Sequence, residues 1–130
     1  MPYNDKVAEN KMVAEKCLHL KAYNAGVTRA YYAAFQHIKA YLIGTNFDYD
    51  SFLKKTNSTV ERVYSHGTMQ AAITTCLQAH GKNLTDIYKI RVLGNLYEKR
   101  RKADYDNGNI VEAELKDSLK DLYTVLTVVS

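Results

Sequence analysis

Leu96-Tyr97-Glu98-Lys99-Arg100-Arg101-Lys102-Ala103-Asp104-Tyr105 closes a segment whose apolar residues recur at the helical period. Ile87, Ile90, Leu93, Gly94 and Tyr97 fall on one face, so the spacing predicts a helix from Leu84-Thr85-Asp86 to about Tyr105. Its last turns gather four consecutive cations, the Asp104 carboxylate and the Tyr105 phenol. Gly94 inside that helix costs about 1 kcal/mol against alanine, which points either to close approach of another backbone there or to a glycine that is simply tolerated. Downstream, Asp106-Asn107-Gly108 is a turn signal. Asn109 with Glu112 forms a capping-box-like pair opening a last helix, whose stripe is Val111, Leu115, Leu119, Leu122, Leu126 and Val129.

Upstream the period is also helical. A first helix is predicted from about Asp5 to Tyr23, with Val7, Met12 or Val13, Cys17 and Leu20 inward, followed by a turn at Asn24-Ala25-Gly26. A second runs to Leu42 or Ile43 on Val27, Tyr31, Ala34, Ile38 and Leu42, and Gly44-Thr45-Asn46 stops it. The segment from Phe47 to Ser65 reads as a long loop with one short helical turn at Tyr49 to Lys55. A third helix should start near Gly67-Thr68, place Met69, Ile73, Cys76 and Leu77 inward, and end at Ala79-His80 with Gly81 as its cap. The single proline, Pro2, interrupts nothing, and no strand-period segment competes. The expectation is one all-α domain over residues 1–130, an antiparallel bundle of four to five helices.

A hydrophobic fraction of 46% is that of an ordinary globular chain, and no apolar run has the ~18 residues a membrane helix needs. The polar start Met1 to Lys6 has no apolar core of a secretory signal, which predicts a cytoplasmic protein. Cys17 and Cys76 lie among apolar residues and read as buried free thiols. The net charge of +4 permits phosphate contact without demanding it. His19, His37, His66 and His80 show no metal-ligand spacing, and no phosphate loop or dinucleotide fingerprint occurs, so neither metal nor cofactor is expected. An arginine at position 29 of a core-forming helix is expected to pair with a carboxylate or turn to solvent, and Asp104 is the candidate partner. That pair would orient Arg100 and Tyr105 beside it. Tyr31, Tyr32, Tyr97 and Tyr105 should line the region between the second and fourth helices. The cluster Lys99, Arg100, Arg101 and Lys102 is a solvated helix end compatible with the helix dipole, with Arg100 the best-placed phosphate ligand.

Three blocks in order, Arg29-Ala30-Tyr31-Tyr32-Ala33, His66-Gly67, and Arg100 to Tyr105 as Arg-x-x-x-Asp-Tyr with Ala103 before the Asp, resemble the small stand-alone branch of the HEPN superfamily. The resemblance spans about Ala22 to the C-terminus. It implies a HEPN-like helical bundle, a homodimer paired through the motif helix, and a ligand groove at Arg100, Asp104 and Tyr105. Many HEPN domains are metal-independent endoribonucleases whose motif is an Arg followed, after four to six residues, by His. Here Arg100 is followed after four residues by Tyr105, and tyrosine, with a pKa near 10, is a poor general base. The resemblance therefore implies a module that binds RNA, a nucleotide or a partner protein, in a toxin–antitoxin or defence setting, without the usual catalytic histidine. The alternative it implies is a metal-independent ribonuclease toxin paired with a nucleotidyltransferase antitoxin, with Arg100, Tyr105 and His66 as catalytic residues and Tyr105 as a nucleotide acceptor. Arg29, Asp104, Lys99, Arg101 and Lys102 would then bind ligand or support the site.

Overall fold

The helical period is realised in α1 (Pro2–His19), α2 (Tyr23–Gly44), a short α3 (Tyr49–Lys55), α4 (His66–Ala79), a short α5 (Leu84–Tyr88), α6 (Val92–Tyr105) and α7 (Glu112–Val128). The computed structural model describes residues 2–55, 66–105 and 109–130, and among them every regular element is helical. The five long helices form a bundle around α2, which touches α1, α4, α6 and α7. Contacts of Gly26 with Cys17 and of Arg29 with Asn10 set α1 antiparallel to α2. Contacts from Thr28 to Asp104 and Tyr31 to Tyr97 do the same for α6. Contacts of Gly26 with Leu115 and of His37 with Val129 set α7 parallel to α2.

The burial pattern explains these elements. Met69, Ile73, Cys76 and Leu77 of α4 are all buried, and Gly81 takes a φ of +75° just past its end, as a helix-terminating glycine does. Both cysteines are buried free thiols. The expected fourth helix is divided. Asn83 caps α5 by accepting from the Asp86 N–H at 2.8 Å. A 3-10 turn at Lys89–Arg91 then leads into α6. Ile87, Ile90 and Leu93 recur every third residue and are all buried. The tighter turn brings residues three apart onto one line, which an α-helix alone would fan out.

The structure differs from the sequence reading at the α1–α2 turn, on the inward face of α1 and at the start of α7. Asn24, Ala25 and Gly26 lie within the first turns of α2, and the chain reverses earlier, at Leu20–Ala22, with Lys21 at a φ of 59°. Leu20 thereby leaves the core and stands 75% exposed. Of the two positions offered, Met12 is exposed and Val13 packs on the core, beside a fully buried Ala14. The last helix is capped by Val111, not Asn109. Its partner is Glu114, whose Oε1 accepts from the Val111 N–H at 3.1 Å, and Glu112 is exposed. The predicted turn at 106–108 and the loop over 56–65 lie outside the described residues.

Gly94 does not meet another backbone. A methyl group built there would have only Gln70 Oε1 near it, at 3.9 Å. The close approach is at Gly26, where the same methyl would lie 2.7 and 2.8 Å from the two Leu115 methyls and 3.0 Å from Cys17 Cβ. Leu115 is fully buried and has little room to turn away. Gly26→Ala should therefore lower stability by about 1–2 kcal/mol despite alanine's higher helix propensity, whereas Gly94→Ala should raise it by up to about 1 kcal/mol. Urea denaturation of the two variants checks both signs.

Candidate functional site

Thr28, Tyr31, Tyr32 and Phe35 fall at the helical period on one face of α2, and that face meets α6 and the start of α4. Tyr31 is 3% exposed and is the hub of the site. Its ring contacts Tyr32, Phe35, His66 and Tyr97 at centroid distances of 5.7 to 5.9 Å. Its hydroxyl is hydrogen-bonded to His66 Nδ1 at 3.2 Å. The His66 imidazole lies flat on Tyr97, 3.8 Å between centroids and 9° between planes. Burial holds the His66 imidazole below the usual histidine range; Glu98 opposes that shift and Arg100 adds to it. Burial also pushes the Tyr31 phenol well above the ordinary range, with the Arg100 charge opposing.

Arg100 completes the cluster from α6. Its guanidinium carbon stands 5.5 Å from the Tyr31 ring, 5.3 Å from Tyr32 and 6.0 Å from Tyr105. Asp104, one turn on, lies 3.3 Å from Arg100 Nε. The alignment is that of an ion pair and not of a hydrogen bond, so the buried Nε–H keeps an unmade bond. Thr28 Oγ1 donates to the other Asp104 oxygen at 3.1 Å. The Arg100 side chain is 20% exposed, and Arg101 beside it is exposed with its guanidinium 5.9 Å from the Tyr97 ring. The result is a cation held by aromatic faces and one carboxylate, next to a neutral imidazole. Such a group fits an anionic oxygen, and phosphate above all.

The sequence placed Arg100, Asp104, Tyr105, Tyr31, Tyr32 and Tyr97 in one region, and the structure brings them together with His66. Tyr105 is 68% exposed and touches the cluster only through Arg100. Arg29 does not join it. It sits one residue off the shared face, is exposed, and donates to Asn10 Oδ1 of α1 at 3.0 Å. The expected Arg29–Asp104 pair is thus replaced by Arg100–Asp104, with Thr28 as the second partner. Thr28 was legible as part of the Tyr31 face, because it lies one turn before Tyr31 and Tyr32. The cations Lys99 and Lys102 are not a free phosphate-facing pair. Both reach Glu114 of α7, at 2.9 and 3.0 Å. Among the described residues no group of three His, Cys, Asp or Glu side chains is placed to hold a metal ion, and no helix is long and apolar enough to cross a membrane.

No protein-family model matches this chain, and no curated protein matches it.

Asp104→Ala should cost about 1 kcal/mol, because its ion pair is partly solvated and it also loses the Thr28 bond, while Arg29→Ala should cost under about 0.5 kcal/mol. Chemical denaturation distinguishes these from the order of 3 kcal/mol a buried Arg29–Asp104 pair would have implied. Glu114 is 15% exposed, and hydrogen bonds from Lys99, then Lys102, then the Val111 N–H, hold its carboxyl down to about 2 from an ordinary 4.5. Its folded pKa is depressed, so its stabilisation is complete above pH 4.5 and is lost as pH falls through about 2. Glu114→Gln should lower stability at neutral pH and flatten that acid limb in a pH-dependent melting series.

Proposed function

We propose that this chain is a HEPN-like module that binds a phosphate-bearing ligand, RNA or a nucleotide, through the Arg100 cluster without cutting it. The observation that carries the reading is the setting of Arg100. Its guanidinium is held between the Tyr31 and Tyr32 rings and Asp104, yet a fifth of the side chain stays open to solvent. An arginine held so loses little rotamer freedom on binding an oxyanion. Lys99 and Lys102 are engaged by Glu114, so the recognition falls to Arg100 and Arg101. The HEPN motifs support the same site and carry with them a two-fold homodimer in a toxin–antitoxin or defence setting. A dimer would place two such clusters under one symmetry axis.

One observation favours a second reading, a metal-independent ribonuclease acting beside a nucleotidyltransferase partner. His66, remote in sequence from Arg100, shares Tyr31 with it as a neighbour. Held below the usual histidine range, its imidazole is neutral near pH 7, the state from which proton transfer at a phosphodiester is performed.

The test is fluorescence anisotropy with a labelled single-stranded RNA in chelator, with the same mixtures run on a denaturing gel. Arg100→Ala should abolish binding with an unchanged circular dichroism spectrum. Arg101→Ala should weaken binding several-fold and reduce the salt slope by about 1. Lys99→Ala should leave the salt slope nearly unchanged, since that ammonium is occupied by Glu114. Cleavage that persists in chelator and disappears in His66→Ala would select the ribonuclease. Binding that survives Arg100→Ala would place the ligand elsewhere.

A further inference from the structure

The Tyr31 hydroxyl has one hydrogen-bond partner among the described residues, and it is His66 Nδ1. A phenol has a single hydrogen to place, and on a buried residue that hydrogen needs an acceptor. Were the His66 proton on Nδ1, that N–H would donate to the phenol oxygen and leave the phenol hydrogen without an acceptor among the described residues. An imidazolium would create the same conflict. With Nδ1 bare, the phenol donates, Nδ1 accepts, and both groups are satisfied. The neutral ring then carries its hydrogen on Nε2. The remaining charged and titratable neighbours do not alter the assignment: Glu98 and Arg100 pull the ring's charge in opposite directions, and Tyr97 meets it face-on.

The geometry points to Tyr31 as a positioning residue that fixes His66 as a neutral Nε2–H imidazole, so that His66 meets the ligand as a hydrogen-bond donor and not as a proton acceptor. The Tyr97 stack sets the ring plane and the Tyr31 bond sets its rotation within that plane, so the donor direction is doubly determined. The ring borders a shallow groove of about 450 Å3 with Gly67, Gln70 and Thr74. The matching ligand atoms are acceptors: phosphate oxygens or the carbonyl edge of a base. This assignment rests on the reading that the ligand binds at the Arg100 cluster, and it refines that reading by giving His66 the same polarity as Arg100.

Long-range 1H–15N spectra of the full, 15N-labelled chain read the two ring nitrogens directly, with the His66 signals identified by their loss in His66→Gln. Wild type should show a bare Nδ1 and a protonated Nε2 near neutral pH. Tyr31→Phe keeps the ring contacts and removes the donor; it should turn His66 into a mixture of tautomers and weaken binding of an oligouridylate about 3- to 10-fold. A protonated Nδ1 in wild type, or an unchanged tautomer in Tyr31→Phe, overturns the inference. So does an altered tautomer with unaltered affinity, when Arg100→Ala abolishes binding. Oligouridylate binding that survives Arg100→Ala instead removes the phosphate site at Arg100, and the wild-type spectrum still decides the tautomer. If Tyr31→Phe does not fold, that spectrum is sufficient alone.

Discussion

Helix α2 must satisfy neighbours on nearly every side, and the rest of the structure follows from how it does so. Ala30, Ala33 and Ala34 are fully buried, and Gly26 lets α7 come within reach of its backbone. Small residues there allow α1, α6 and α7 to pack on one central rod, whose apolar burial supplies what helix propensity alone cannot. Where the α2 surface turns from alanine to Thr28, Tyr31 and Tyr32, the packing carries polar atoms into the core. Those atoms must find partners, and their partners are Asp104, His66 and Arg100. The candidate site is thus a by-product of the same contact that orders the bundle.

Charge is distributed by the same geometry. Of the four consecutive cations at the end of α6, two are spent on Glu114, which also caps α7 through the Val111 N–H. A single carboxylate thereby ties the start of the last helix to the end of the one before it. Arg101 remains outside in solvent, and Arg100 turns inward over the tyrosines. Neighbours in sequence therefore have different chemical roles because a helix rotates each residue about 100° from the last.

Much of this was legible in the sequence. The long helices, the inward faces of α2 and α4, the Gly81 stop and the short α3 all follow from spacing and end signals. The grouping of Arg100, Asp104 and the tyrosines was legible because a small bundle sets the helix of Tyr31 and Tyr32 beside the one that ends at Tyr105. What stayed illegible depended on which side of a helix meets which neighbour. Arg29 looked like the partner of Asp104 because both are charged and on adjacent helices, but Arg29 faces α1 and Arg100 faces α2. Gly94 and Gly26 are both interior glycines of helices, and only the packing of Leu115 against one of them tells them apart. The Asn109 cap failed for a similar reason: Asn and Asp favour caps in general, but the glutamate that meets the two lysines is Glu114, and it draws the helix start to Val111.

The contact between Gly26 and Leu115 joins positions separated by about 90 residues, whereas the α1–α2 hairpin closes over a turn of a few residues. Closing the longer loop costs more chain entropy, so the two halves of the core are not equal in the order of assembly. The hairpin can form as soon as its residues collapse, with the face of α2 that α7 will cover still wet. Arrival of α7 dries that face. The Tyr31 site waits on other arrivals: Tyr97 and Arg100 come with α6 and His66 with the start of α4, all 35 or more residues on in sequence. The site therefore depends on long-range closure of α4 and α6 on α2, the slower kind of contact, and is not a product of the α1–α2 hairpin.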